Sequence, residues 1–330
     1  MNHETVLVTG GAGYIGSHAV HSLISSGRNV VVVDRDKEAC ECLQDRYAKK
    51  KKKGTLKIHC TDITNDVWMD GILQNEKPSA VMHFAADISV PESVQNPIKY
   101  FNNNTAKTTN LIERLVRHGI YRFINSSTAA VYGNAKNPQN IVESDLCKPT
   151  NPYGHSKLMN EFVLKQVSTS VPAFRYTSFR YFNVAGCHLN GNIIDYRWRE
   201  KGNVVPKFMS NVLKGEELHV YGTDYDTLDG SCVRDYIHPE DLISAHMIAL
   251  DNDTEGVYNL GSGIGYSVWQ IVENLVSVTG RNLDVAHKPR RAGDPPILIA
   301  NHEKFTKATG WEPTFTLKEI IATAWKAYGV

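Results

Sequence analysis

The stretch Thr9-Gly10-Gly11-Ala12-Gly13-Tyr14-Ile15-Gly16 decides the fold. It follows a β-branched run, Thr5–Thr9, and precedes Ser17–Ser26, which reads as a helix stopped by Gly27. Gly11, Gly13 and Gly16 fit G-x-G-x-x-G; Gly10, Gly13 and Gly16 fit the wider G-x-x-G-x-x-G. The physics asks for glycine at each place. One makes the tight turn, one lets backbone approach a pyrophosphate, and one packs helix closely on strand. The helix start then offers unpaired N–H groups and a partial positive charge to phosphates. Val30–Val33 is a continuous apolar run ending in Asp34, the pattern of a strand buried on both faces. A carboxylate there accepts hydrogen bonds from the adenosine ribose and repels a 2′-phosphate. NAD is therefore expected rather than NADP, with Arg35 and Lys37 pulling weakly the other way. A glycine pattern alone also fits an ordinary turn; here strand, helix and acid stand in the right order. Asp62-Ile63, after the third strand, either faces the adenine similarly or is a plain loop.

Outward from this turn the alternation continues. Leu56–Cys60, Ala80–Ala85 and Arg122–Asn125 read as strands, and Ile98–His118 as one long helix closed by Gly119. Strands separated by helices imply βαβ units and a parallel sheet. The expected class is α/β: a doubly wound parallel Rossmann sheet with a smaller C-terminal α/β substrate-binding domain. The dinucleotide domain is expected over 1–185, with the chain returning to it at about 233–262, and the second domain over 186–330. Helices are expected near Pro206–Lys214, Pro239–Leu250, Val268–Thr279 and Leu317–Tyr328. Short strands are expected at Leu218–Tyr221, Gly256–Leu260 and Leu283–His287. Gly186–Gly202, with Trp198 among charges, reads as a substrate-covering loop, and Lys49–Lys53 as a solvated loop.

Composition excludes several classes. The 330 residues carry 36 Lys+Arg against 35 Asp+Glu, a net charge of +1, with 42% hydrophobic and 22% charged residues. That balance suits a folded soluble protein and lacks the basic face of a nucleic-acid binder. No apolar run approaches the roughly 20 residues that span a bilayer. The N-terminus has glycines where a secretory signal would have its apolar core, so a cytoplasmic protein is expected. The six cysteines contain no C-x-x-C and read as buried free thiols; Cys40-x-Cys42 is a weak metal alternative, and no metal is expected.

Chemistry gathers further along. Tyr153-Gly154-His155-Ser156-Lys157 opens a helix after Asn151-Pro152, and residues four apart share a helical face. A phenol with a pKa of roughly 10 is a poor base at neutral pH. A nearby ammonium and a positive nicotinamide ring would favour its phenolate. Lys157 can also hold the nicotinamide ribose. Thr128 lies at a strand end, where open α/β sheets place ligands, and its hydroxyl can bridge a substrate oxygen and Tyr153. An exposed helical pair is the plain alternative for Tyr153 and Lys157.

The glycine turn, Asp34, Ser126-Ser127-Thr128 and Tyr153-x-x-x-Lys157 together resemble the extended short-chain dehydrogenase/reductases. Several motifs narrow this to similarity with the UDP-glucose 4-epimerase (UDP-galactose 4-epimerase) family. They are Val131-Tyr132-Gly133, Asn151-Pro152-Tyr153-Gly154, Arg180-Tyr181-Phe182-Asn183, Tyr221–Asp229-Gly230, Val233–His238, Tyr258–Gly261 and Pro289–Asp294. The match covers essentially the whole chain, and its 221–238 stretch is highly specific. The resemblance implies NAD held by Gly10, Gly13, Tyr14, Ile15, Gly16, Asp34, Asp62, Ile63, Phe84, Ala85, Ala86, Asn103, Ser126, Tyr153, Lys157 and Tyr181. It implies catalysis by Tyr153, Lys157 and Thr128. It implies a UDP-sugar held by Thr128, Asn183, Asn203, Tyr221, Arg234, Arg291, Asp294 and Leu298. In that role Arg234 and Arg291 take the diphosphate, Asp294 a ribose hydroxyl, and Tyr221 the uracil or else a place in the core. Leu298 matches a pocket wall whose size limits the C2 substituent, and its intermediate size implies activity on UDP-N-acetylglucosamine as well. Ile88 stands where several members carry Lys near the cofactor phosphates, and Asn192–Asn203 lacks their acidic segment. A homodimer is implied, packed through Ile98–His118 and Tyr153–Val167, with Leu111, Leu115 and Leu164 as apolar residues there that core burial explains equally well. The same fold also hosts dehydratases and decarboxylases, but Ala129 and Ala130 after Thr128 move no proton. A silent NAD-sensing protein is the further alternative, against which the intact Thr128, Tyr153 and Lys157 stand.

Overall fold

In the computed structural model the described residues are 4–48, 53–191, 193, 202–291 and 294–329. Trp198, Lys49–Lys52 and most of the expected covering loop lie outside them. In chain order the elements begin β1 (Thr5–Thr9), α1 (Tyr14–Ser25), β2 (Asn29–Asp34), α2 (Lys37–Ala48), β3 (Leu56–Cys60), α3 (Asp66–Glu76) and β4 (Ala80–His83). There follow α4 (Val90–Gln95), α5 (Pro97–Tyr100), a π-helical turn (Phe101–Ala106), α6 (Lys107–Arg117), β5 (Arg122–Thr128), a 3₁₀ turn (Ala129–Tyr132), α7 (Pro152–Ser170) and β6 (Arg175–Tyr181). Then come β7 (Asn183–Val184), α8 (Val204–Lys214), β8 (Leu218–Tyr221), β9 (Val233–Ile237), α9 (Pro239–Asn252) and β10 (Gly256–Leu260). The chain closes with β11 (Gly265–Ser267), α10 (Val268–Thr279), β12 (Val285–Lys288), β13 (Ile297–Leu298), α11 (Glu303–Thr309) and α12 (Leu317–Tyr328).

The structure divides into two compact units. The first comprises 1–133, 147–180 and 243–258; the second comprises 134–146, 181–242 and 259–330. The expected division near 185, with a return over 233–262, differs from this. Residues 134–146 and 233–242 pack with the second unit, and the return to the first begins at Ile243.

The seven-stranded sheet has the order β10-β6-β5-β4-β1-β2-β3. Parallel ladders join β3, β2, β1, β4 and β5 in register, for example Leu7 with Val31 and Val81. This is the doubly wound order, and the strand sequence reverses between β1 and β4. Val30 to Val33 are at most 1% exposed, so helices cover both faces, as their unbroken apolar run requires. Across the strands, His83 joins Thr9 Oγ1 at 2.7 Å and Thr108 Oγ1 at 2.9 Å. Burial pushes the His83 imidazole down to about 3, so it folds neutral.

Two expectations change. The helix after the glycine turn begins at Tyr14, not Ser17. The single helix expected over Ile98–His118 is continuous from Pro97 to Arg117, with a π-helical turn at Phe101–Ala106 between α5 and α6. Asn102-Asn103-Asn104 are weak helix formers whose amides compete with the backbone. The Asn104 amide is buried and used: it accepts from Asp87 N at 2.8 Å and donates to Asp87 O at 2.9 Å and Ser156 Oγ at 3.1 Å. Among the cysteines, all six are free, but Cys42 and Cys60 are exposed rather than buried.

The second unit's core is built by α8, α10 and α12, with Phe208, Met209, Leu275, Ile320 and Ile321 almost inaccessible to solvent. Capping boxes start two of these helices: Ser267 with Gln270 on α10, and Thr316 with Glu319 on α12. β9 pairs β7, β11 and β13, while β8 pairs β12.

Candidate active site

The phosphate-binding turn is built as the glycines demand. Gly10 has φ +69°, and a Cβ on it would lie 2.6 Å from Ala85 N, so the loop after β4 presses against the turn after β1. A Cβ on Gly16 would lie 2.1 Å from Gly10 O. Gly13 caps α1 without a side-chain bond, a helix start of the kind that suits an anion. Asp34 closes the cradle: its Oδ2 accepts from Ala12 N and its Oδ1 from Asp36 N, both at 3.1 Å. Burial pushes its carboxyl up, against those two amide bonds. Arg35 is tied to Asn103 Oδ1 at 2.9 Å and Asp87 Oδ1 at 2.7 Å. Asp62 accepts from Lys107 Nζ at 2.6 Å and from Thr64, while Ile63 packs into the apolar core. Phe84, Ala85 and Ala86 follow β4 at the switch point, with the Phe84 ring 5.4 Å from that of His246. Ile88 is 52% exposed. The residues present fit a dinucleotide: a glycine cradle that any Cβ would fill, an uncapped helix start, and an acid at the end of β2.

Asn151 accepts from Gly154 N at 2.9 Å and Pro152 occupies the first helical turn, which fixes where α7 starts and places Tyr153 at its mouth. Lys157 is buried one turn on. Its Nζ donates to Ser126 O at 2.8 Å and Ser126 Oγ at 3.3 Å. Burial drops this ammonium to about 8. Thr128, 8% exposed, accepts from Ala130 N at 3.2 Å, and its hydroxyl acts to lower the pKa of the Tyr153 phenol. The phenol itself differs from expectation. Burial pushes it above its ordinary value, against the Thr128 hydroxyl. The protein by itself thus leaves Tyr153 a weaker acid than in water, because burial penalises the phenolate, while Lys157 donates to Ser126.

The second unit carries the expected substrate residues. Leu298 on β13 is the register partner of Arg234 on β9. Arg234 Nη1 donates to Val233 O at 2.9 Å, and its Nη2 lies 4.0 Å from Asp294 Oδ1. The exposed Arg291 guanidinium sits 4.0 Å above the Tyr221 ring, so Tyr221 is neither free nor simply a core aromatic. Asn183 on β7 is the register partner of Tyr236 on β9, and Asn203 precedes α8 with its side chain uncommitted to capping. Tyr181, ending β6, is 8% exposed.

The NAD dependent epimerase/dehydratase family matches residues 6–261 of this sequence. The chain belongs to that family. A UDP-glucose 4-epimerase from Lactobacillus helveticus is 38% identical over 327 residues, covering 97% of this chain and 96% of that protein. The UDP-glucose 4-epimerase of Bifidobacterium longum, solved with NAD+ and UDP, is similar at TM-score 0.88 and 36% identity, covering 98% of this chain and 97% of that one. The UDP-Glc/GlcNAc 4-epimerase of Campylobacter jejuni is similar at TM-score 0.83 and 39% identity, covering 99% of each chain.

Within this family member, sequence reasoning overlooked an internal support. Glu161 and Arg180, 6% and 5% exposed, form a buried ion pair beneath the end of β5. One signal was available: Glu161 lies one turn beyond Lys157 on the face that carries Tyr153. Asp235 was also missed. It is fully buried and accepts from Ser262 N, Gly263 N and Ala300 N, which pins the loops beside Arg234.

Proposed function

We propose that this epimerase/dehydratase family member inverts C4 of a UDP-hexose, interconverting UDP-glucose and UDP-galactose through a 4-keto sugar. The observation that carries this is Tyr153 at the start of α7, one turn before the buried Lys157 that donates to Ser126, with Thr128 ending the neighbouring β5 at the end of a sheet whose switch point holds the glycine turn. Bound NAD supplies a reversible two-electron acceptor for the hydrogen on C4. Tyr153, as the phenolate, takes the proton of the 4-hydroxyl and becomes the neutral phenol, and the Thr128 hydroxyl donates to that oxygen while it is charged. Lys157 orients the nicotinamide ribose and adds positive charge. The keto sugar turns about its link to the diphosphate, and Tyr153 returns the proton as C4 is reduced on its opposite face. Inversion requires a firm hold on UDP and a loose hold on sugar. Arg234 and Arg291 supply guanidinium forks for the diphosphate, with Asn183 and Asn203 beside them. Asp294 takes a ribose hydroxyl, and Tyr221 offers its ring to uracil.

Leu298 leaves room at C2, so UDP-N-acetylglucosamine is a second substrate; the Campylobacter jejuni relative, named for both sugars, supports this. Comparing turnover of the two substrates by wild type and Leu298→Tyr tests it. Absence of N-acetyl turnover in the wild type ends that part of the reading. A second copy of the chain is the expected partner. Val94, Ile98, Met159 and Phe162 are between 46% and 72% exposed, on α4, α5 and α7, which pack side by side. Leu111, Leu115 and Leu164 belong instead to the core, each 0% exposed. Among the described residues no helix is long and apolar enough to cross a membrane. With six free thiols, a reducing cytoplasm is the fitting compartment, and galactose metabolism the fitting role. The test is direct: incubate the NAD-loaded protein with UDP-galactose and assay UDP-glucose. No conversion refutes the proposal.

A further inference from the structure

We propose that the buried Glu161–Arg180 pair is a positioning device that holds Thr128 in place for proton transfer, an inference that rests on the reading of Tyr153 as the acid–base group. Arg180 grips the carboxylate with two nitrogens: Nη2 donates to Glu161 Oε2 at 2.7 Å, and Nε to Oε1 at 3.1 Å. Bonds from this pair reach the chain on each side of Thr128. Ser127 Oγ donates to Glu161 Oε1. Arg180 Nη1 donates to Tyr132 OH at 2.8 Å, with the guanidinium 4.8 Å above that ring.

Thr128 is the joint between β5 and the 3₁₀ turn Ala129–Tyr132. Ser127 is the residue before the joint, and Tyr132 ends the turn after it. Both are therefore fastened to a single rigid fork that also ties β6 to α7, the helix bearing Tyr153 and Lys157. Successive residues of β5 meet successive turns of α7: Ser126 accepts from Lys157, Ser127 donates to Glu161, and Thr128 follows next to them at the strand's end.

Stability alone does not account for this arrangement. A buried ion pair loses in desolvation much of what it gains in attraction, and apolar pairs of similar volume often hold a core as well. Geometry does account for it. A misplacement of about 1 Å costs on the order of a hundredfold in rate, so the Thr128 hydroxyl needs support from both sides. Glu161, Arg180, Ser127 and Tyr132 act here through Thr128, as positioning residues.

The test uses NAD-loaded protein and four variants: Arg180→Met, Glu161→Met/Arg180→Met, Tyr132→Phe and Ser127→Ala. Melting temperature, kcat and KM for UDP-galactose, and deuterium uptake by the 122–133 segment are read for each. Arg180→Met strands a buried carboxylate and should lower both melting temperature and kcat. The double variant should regain most of the melting temperature while kcat stays down at least about tenfold, with KM within about twofold. Deuterium uptake should rise in 122–133 and stay unchanged in 5–25. A double variant that regains kcat together with stability overturns the proposal, as does uptake that rises evenly along the chain. Should the double variant not fold, Tyr132→Phe and Ser127→Ala decide: unchanged kcat in both refutes the idea, and a fall of at least about threefold at unchanged melting temperature supports it. A wild type that converts no UDP-galactose would strike the acid–base reading itself, whereas uptake confined to 122–133 would still show that the pair holds the joint.

Discussion

The candidate site residues of the two compact units hold their charges in opposite ways. In the first, Lys157, Glu161 and Arg180 are at most 6% exposed, and each is held by short bonds to the protein itself. In the second, Arg291 and Asp294 are exposed, and Arg234 reaches Asp294 only at 4.0 Å. Buried charges with full sets of partners hold reacting groups at fixed distances. Loosely partnered charges at a surface keep their bonding capacity for an anion. The difference teaches that proton transfer needs a rigid, dry setting, while ligand capture leaves the last bonds for the ligand to make.

The largest expected effect tests the dry side. Tyr153→Phe should lower kcat about a thousandfold, within the range that acid–base groups contribute. Its melting temperature should stay within a few degrees of wild type, since only one hydroxyl is lost. A variant that keeps more than a tenth of the activity would break the comparison at its centre.

The next is an acid limb in stability. His83 folds with its pKa pushed down to about 3 by burial, whereas the unfolded chain takes up a proton near 6.5. Its contribution is present above the unfolded value and is lost as pH falls through the window from 6.5 toward 3. His238, pushed down to about 4 by burial, acts in the same direction. Unfolding in denaturant at a series of pH values should show a loss on the order of 4 kcal/mol across that window from His83. His83→Gln should flatten this limb; an equally steep limb in the variant would remove His83 as its cause.

On the open side, Arg234→Ala should raise KM for UDP-galactose by about tenfold to a hundredfold, as for losing charge-assisted hydrogen bonds, and leave kcat within about threefold. A collapse of kcat at unchanged KM would assign Arg234 to the chemistry instead. The smallest effect concerns salt. Raising ionic strength from about 0.05 to 0.5 M should increase KM several-fold and leave kcat nearly constant, because exposed charges are screened and buried ones are not. Equal sensitivity of both constants would erase the contrast between the units.

Much of the first unit was legible from local rules. The glycine turn, the apolar run Val30–Val33 and the terminal Asp34 each report a backbone or burial requirement within a few residues, and β1, α1 and β2 follow from them. The same holds for α10 and α12, whose capping residues fix their starts at Val268 and Leu317. The π turn at Phe101–Ala106 was not legible; the bonds Asn104 makes from it to Asp87 and Ser156 span up to 52 positions in sequence. The short strands β7, β9, β11 and β13 were missed for the same reason: a pairing such as Arg234 with Leu298 has no local periodicity to announce it. The candidate catalytic trio was visible as residue types at a helical spacing, but its electrostatics were not. Tyr153 is raised by burial, and Lys157 is turned to Ser126.

Sequence by itself determined what short-range sterics and periodicity can encode: the phosphate turn, the alternation of strands and helices, and the helical face shared by Tyr153 and Lys157. Tertiary structure alone decided which groups lose their water and which partners they meet. The Glu161–Arg180 fork, the neutral His83 and the raised phenol all depend on chain segments distant in sequence that exclude solvent together, and the free energy of a charge is set by those surroundings rather than by its neighbours along the chain.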